Sequence, residues 1–370
     1  LGHTGGLICE SEEGFVLSAA ADGFLSEAER RLLEETVAIG FHCKCLSEWA
    51  AFVRERHFGA LADLDWSALS GTPRTVLGHY AYAVAQRVEA ALDDYRDRVV
   101  ELEGQLLQEP SLPLAHMAAF LEEDRRVLCV LRRLVERAEE ERLGGGPLLD
   151  LLQSAAASHM GDSGVFRCLW SVAAGAGSVL ANQLVGWMVY GRLVDPDGDF
   201  FIGRAWHHHP PWRPGSALHG GPVDDFSKDI GGAAAQREWL SLFYLRPEAV
   251  PNTVLSLDTA RRVLFAGRAS RVLLRGGRWS AAPAGGGPDL AAIQDDVDAL
   301  LGCFGAMSPP CVAERAVERI RARVSEKLRR LVVEEAGLAQ HLAALKGFCL
   351  LGHGAFYQTL LEAARPLLRR

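Results

Sequence analysis

At 370 residues, 49% hydrophobic and 23% charged, the chain has apolar material for about two or three packed units of ordinary globular composition. A formal charge of −8 weighs against a protein that neutralises nucleic-acid phosphates over a broad face. Eight cysteines, at 9, 43, 45, 129, 168, 303, 311 and 349, lack the spacing of a disulfide framework. Most lie among apolar helical residues, which suits reduced thiols in a reducing compartment.

Helical periodicity dominates from the start. Ser26 and Glu29 form a capping-box pattern ahead of an apolar run. Leu33, Val37 and Phe41, then Leu46, Trp49 and Val53, follow at spacings of three and four. The next stripe is continuous: Leu77, Tyr80, Val84, Val88, Leu92, Tyr95, Val99, Leu102 and Leu106, with charged residues largely on the other faces. Pro110 and Pro113 break the chain. A third long helix is predicted through Leu114, Met117, Leu121, Leu128, Leu131 and Val135, ended by Gly144, Gly145 and Gly146.

Further helices are predicted from about Leu148 and from about Val165 to Leu193. The second contains the longest apolar stretch, Trp170 to Tyr190, but Asn182, Gln183 and many small residues suit a buried helix better than a membrane span. Residues 203–236, rich in Gly, Pro and His, read as a mobile insertion. Helix returns over Thr259 to Leu274, and Gly276 to Pro288 reads as a linker. The last stripe runs through Val317, Ile320, Val324, Leu328, Leu331, Leu338, Leu342 and Leu345. No segment sustains period-two alternation, so the expected fold is all-α, with stacked helical bundles forming an elongated scaffold. From Cys311 onward the chain holds 11 Lys/Arg against 6 Asp/Glu, a reversal of the overall sign. That asymmetry suggests a boundary and either an acidic partner or a solvated basic helix face. No signal peptide is visible, and the opening at Leu1 rather than Met leaves the true N-terminus open.

Reactive constellations are weak. Gly161-Asp162-Ser163-Gly164 resembles a serine-protease nucleophile turn, but a helical chain lacks the frame for it, so Asp162 or Ser163 is expected to cap a helix. His207, His208 and His209, with His219, sit in the loop-like insertion, where adjacent imidazoles converge poorly on one ion. Cys43 and Cys45 beside His42 lack a second ligand pair, and on a helix the two thiols face different sides. The glycine clusters at 144–146 and 285–287 lack the Lys-Ser/Thr of a phosphate loop. Gly352-His353-Gly354 follows no predicted strand and reads as a tight turn between helices. No catalytic, cofactor or metal site is expected, and the chain is read as a non-enzyme.

Recognition comes from blocks in order along the chain. Trp187 to Asp195 and Asp199-Phe200-Phe201-Ile202 are followed by Leu245-Arg246 and Val250-Pro251. Ala260 to Gly267, Val317 to Leu328, Val333 to Leu338 and finally Leu345 to Tyr357 complete the series. Together they resemble the gamma-tubulin complex component (spindle pole body component) family, weakly before Tyr95 and strongly after Trp187. The resemblance implies a structural subunit that supports microtubule nucleation by lateral assembly and gamma-tubulin positioning. Its implied partners are gamma-tubulin and other complex components, with neither nucleic acid nor membrane. The implied location is the cytoplasm and cytoskeleton, at the microtubule-organising centre and spindle pole.

It also implies residues 1–310 as an N-terminal helical-bundle domain making lateral subunit contacts, and 311–370 as a truncated start of a C-terminal gamma-tubulin-binding domain. Whether the chain is a fragment or a truncated paralogue stays open. Implied partner-binding residues are Lys346, Phe348, Leu351, Gly352, His353, Gly354, Phe356 and Tyr357. His353 and Ala355 stand where the family carries arginine and glutamate, which weakens a charge-assisted contact. A helical tethering or trafficking scaffold has similar stripes but no reason to carry these blocks.

Overall fold

The structure, a computed structural model, describes residues 7–11, 14–18, 25–62, 78–195, 197–204, 242–275, 290–305, 309–350 and 352–368. The three-histidine run, His219, most of the 203–236 insertion, the 276–288 linker and Leu351 lie outside the described residues.

The fold is all-α, with two small antiparallel strand pairs among the described residues. Strands β1 (Ile8–Ser11) and β2 (Gly14–Leu17) form a hairpin with Ile8 opposite Leu17. Phe15 lays its ring edge-on against Phe41, 5.5 Å between centroids. Helix α1 spans Glu27–Ala62 and opens with the expected capping box. The Ser26 amide donates to Glu29 Oε2 at 2.9 Å, and the Glu29 amide donates to Ser26 Oγ at 3.3 Å. Helix α2 covers His79–Gln108 and buries Tyr80, Val84, Val88, Leu92, Tyr95 and Leu102 along its predicted stripe.

The predicted third helix is two helices, α3 (Leu114–Phe120) and α4 (Glu122–Glu140). The chain bends at Leu121, which is buried at the junction while Arg98 Nη2 donates to the Phe120 carbonyl at 2.7 Å. Beyond α4, Arg142 adopts φ 49°, and the Leu143 amide returns to the Ala138 carbonyl at 2.9 Å. That closure usually has glycine at its left-handed position. The glycine run therefore does not end α4. Gly145 and Gly146 open α5 (Gly145–Ser158) instead. A Cβ on Gly145 would lie 2.1 Å from the Asp199 carbonyl, and one on Gly146 would lie 2.1 Å from that of Ala249. Two crossing segments of backbone require the glycines there.

Helix α6 (Ser163–Met188) is long and apolar enough to cross a membrane by composition, yet it is the central helix of the bundle. Helices α2, α4 and α5 pack against it, and α1 packs on α2 and α4. Also against α6 lie α7 (Leu257–Arg275) and α8 (Leu290–Gly305), which α9 (Pro310–Arg330) then covers. The small residues of α6 permit this crowding. Cβ atoms at Gly175 and Gly177 would meet Arg87 of α2 at 2.7 Å and Phe304 of α8 at 2.9 Å. The polar Gln183, unsuited to a membrane span, accepts a 2.7 Å hydrogen bond from the Tyr80 hydroxyl.

Strands β3 (Ile202–Arg204) and β4 (Phe243–Leu245) pair antiparallel beside the end of α6. Helix α9 begins with Pro310 at its first turn and buries Ala313, Ala316, Val317, Ile320 and Val324 in the main core. Asp296 of α8, almost fully buried, pairs with Arg319 and Arg323 of α9 at 3.0 and 2.6 Å.

The continuous last stripe is then interrupted. A π turn (Leu331–Glu335) and Gly337 at φ 62° precede α10 (Leu338–Ala344), a second π turn (Leu345–Cys349) and α11 (Gly354–Leu368). Beyond Leu331 the stripe loses its partner among the described residues: Leu342 is 55% exposed and Leu345 53%.

Two stability outcomes follow from this packing. Trp187→Ala should lower unfolding free energy by about 3–5 kcal/mol in urea denaturation, as for other large-to-small core changes. Deleting residues 338–370 should leave the urea midpoint nearly unchanged, because Gly347 is the only buried residue described there.

Candidate functional site

Three places stand out, and the first and third hold most of the residues singled out by sequence. The first is the hub around Trp187. Its indole is fully buried, donates from Nε1 to the Val263 carbonyl at 3.0 Å, and meets Phe243 edge-on at 4.7 Å. A Cβ at Gly267 would lie 2.0 Å from the indole, so α7 offers a glycine notch at the one height where the ring enters. Asp195 accepts from the Asp199 and Phe200 amides at 2.8 and 3.1 Å, and Arg246 lies 3.6 Å from it. Phe200, Phe201 and Ile202 are buried. These signature residues hold the end of α6, the 195–202 loop and α7 together.

The second place is the neighbouring cluster of acids and imidazoles. Asp197 accepts from the His79 amide at 3.2 Å and bonds His79 Nδ1 at 2.6 Å, so a distant carboxylate caps the first turn of α2. That bond raises the His79 pKa, while burial and then His79 lower that of His57. His57 stacks on Tyr82 at 4.2 Å and meets His79 edge-on at 5.1 Å. Asp199 accepts no side-chain hydrogen bond and joins no ion pair among the described residues. Burial, reinforced by Asp197 and Asp195, pushes its carboxyl up to about 6.

Asp199 lies at one end of a cavity of about 490 Å³ walled by α1, α2, α4 and α5. In the sequence Asp199 stands out only as part of a signature, and the cavity is invisible there, because its walls come from helices far apart in the chain.

The third place is the C-terminal corner. The Leu350, Gly352 and His353 amides donate to the carbonyls of Leu345, Lys346 and Gly347 at 3.1, 3.1 and 3.0 Å. The His353 ring covers Gly347, where a Cβ would lie 2.3 Å from imidazole Cδ2. Phe348 lies 5.4 Å from both His353 and Phe356, and Phe356 meets Tyr357 edge-on at 5.3 Å. Four of the nominated side chains thus form one aromatic ridge. Gly352 and Gly354 flank the tight turn inside it. Lys346 contributes its carbonyl to that turn, and Leu351 lies outside the described residues.

The other motifs have local roles. Asp162, not Ser163, caps α6, with Oδ1 accepting from the Gly164 and Val165 amides at 3.2 and 3.3 Å. Cys43 is buried, Cys45 is half-buried, and His42 Nδ1 lies 3.2 Å from Arg132. Among the described residues no group of three His, Cys, Asp or Glu could hold a metal.

Fold and site together define a helical packing protein, whose signature residues join helices instead of converging on a reacting atom. Residues 1–335 match the family described as Gamma tubulin complex component N-terminal, and the chain belongs to that family. It is 27% identical to gamma-tubulin complex component 4 of Arabidopsis thaliana over 94% of this chain and 51% of that protein. It is 26% identical to a component 4 homolog of Medicago truncatula over 100% of this chain and 55% of that protein. The Homo sapiens component 4 is 24% identical, over 90% of this chain and 52% of its own length. The chain therefore spans about half the length of these relatives.

The raised Asp199 carboxyl sets a pH dependence. The folded chain keeps a proton on Asp199 that the unfolded chain, near the ordinary 3.8, releases. Its contribution to stability is full below about 4 and is lost as pH rises through about 6. Asp199→Asn should therefore exceed wild type by on the order of 1–2 kcal/mol at pH 7.5, with the gap closing toward pH 4 in urea titrations.

Proposed function

We propose that the chain is a structural, non-catalytic subunit of the gamma-tubulin complex, supporting microtubule nucleation at microtubule-organising centres, including the spindle pole. The carrying observation is the family match across residues 1–335, with relatives named as complex components over most of the chain. In this reading the bundle packs laterally against other complex components. The segment beyond it contributes to holding gamma-tubulin. Fixing several partners at set spacing and orientation raises their effective concentration for assembly.

The division between the two parts is proposed at 331–337, about twenty residues later than the 310/311 boundary expected from resemblance. Supporting it, α9 buries its apolar face in the main core, whereas the π turn and Gly337 interrupt the rod just beyond. Partner contact is assigned to the ridge of Phe348, His353, Phe356 and Tyr357, with Lys346, Leu351, Gly352 and Gly354 shaping or flanking it. The exposure of Phe348 and Phe356, about half of each side chain, supports that assignment.

The test is co-purification of gamma-tubulin with the tagged chain from cell extract. Wild type should retain gamma-tubulin and other components, while Phe356→Ala with Tyr357→Ala should lose most of the gamma-tubulin at unchanged circular dichroism. Full retention by the double variant removes the ridge from the interface; failure of wild type to retain any component defeats the reading for this chain.

A further inference from the structure

We propose that the cavity between α1, α2, α4 and α5 is a binding site for a primary ammonium ion carried on an apolar or aromatic body. Its volume, about 490 Å³, falls in the range of small-molecule pockets. Trp49, Phe52, Val84, Leu134, Val135 and Leu148 provide a largely apolar wall drawn from all four helices. Set against this wall is the carboxylate of Asp199, without a hydrogen-bond donor or cation directly on it among the described residues. A half-buried carboxylate in that state lacks the compensation that buried charge ordinarily has. A bound ammonium supplies both charge and donors.

Trp49, whose side chain helps to line the cavity, is itself incompletely satisfied: its indole Nε1 is out of contact with solvent and has no acceptor among the described residues. The indole also offers a π face to a cation. Arg142, the one described non-glycine residue at positive φ, stands at the lip with Glu139. A left-handed arginine where glycine is usual is a strained choice, and it places a long polar side chain at the mouth.

The electrostatics around Asp199 favour a cation in spite of nearby basic groups. His79 is engaged by Asp197 from the same loop, and Arg246 donates to the Phe200 carbonyl and pairs with Asp195. Arg56, also lining the cavity, stacks over the Phe52 ring at 4.7 Å, and the lining carries Glu139 as well as Arg142. His57 lies against His79 and Tyr82. Protonating Asp199, which titrates near 6, removes the attraction, and charge gained on His57 or His79 at low pH acts in the same direction. The inference stands apart from the assembly reading, because it needs neither gamma-tubulin nor the C-terminal ridge.

Phenethylamine and its neutral isostere 2-phenylethanol test it by isothermal titration calorimetry on the full 370-residue chain. At pH 7.5 phenethylamine should bind saturably and about tenfold or more tighter than the alcohol, the range expected for one partly screened charge pair. Asp199→Asn, which disturbs no observed hydrogen bond of that side chain, should reduce the amine to the affinity of the alcohol. Lowering the pH to 5 should do the same in wild type. Ala138→Phe, which fills the cavity, should abolish binding of both probes. Equal affinity for amine and alcohol, an Asp199→Asn variant that binds the amine as wild type does, or no saturable amine binding up to about 10 mM would each overturn the proposal.

Discussion

The architecture depends on one interlock: the Trp187 ring seated in the notch that Gly267 leaves in α7, its N–H turned to the Val263 carbonyl. Burying an indole removes a large apolar area from water, but only if the N–H finds an acceptor. Here a backbone carbonyl and a missing Cβ meet both requirements. Because α6 also receives α2, α4, α5 and α8, the interlock joins the earlier helices to the later ones through a single central rod.

The loop after α6 extends that connection through polar contacts. Asp195 holds two amides of its own loop, and Asp197 caps α2. Asp150 of α5 accepts from the Asn252 and Thr253 amides at 3.0 and 2.8 Å. Each carboxylate satisfies donors that helix starts and turns would otherwise leave unpaired. Asp199 is the exception in the loop, and its isolation makes the adjoining cavity chemically distinct. Such connections limit movement between the helices they join. The tail, by contrast, has two π turns and an exposed apolar stripe, features suited to a segment completed by further contacts.

Much of the helical framework is legible in the sequence. The stripe of α2 is buried at Tyr80, Val84, Val88, Leu92, Tyr95 and Leu102, as is the α4 stretch through Leu128, Leu131 and Val135, because a 3.6-residue period directly encodes which face meets a core. The Ser26–Glu29 box and the Asp162 cap are legible because capping is local chemistry. The bend at Leu121 is not: the apolar stripe continues through it, while Arg98 of α2 engages the Phe120 carbonyl at that point. The short strand pairs leave no pattern to read, because three or four residues cannot establish a period of two.

The candidate sites divide along the same line. Sequence by itself determined the class of fold and the family resemblance, since these depend on local period, local caps and ordered blocks. Tertiary structure alone decided that the signature residues around Trp187 act in packing and that α9 belongs to the main core. It alone placed Asp199 beside the apolar walls of four helices. The reason is physical: a stripe or cap is written within a few turns of chain, whereas a cavity or an unpartnered carboxylate exists only through which distant surfaces meet.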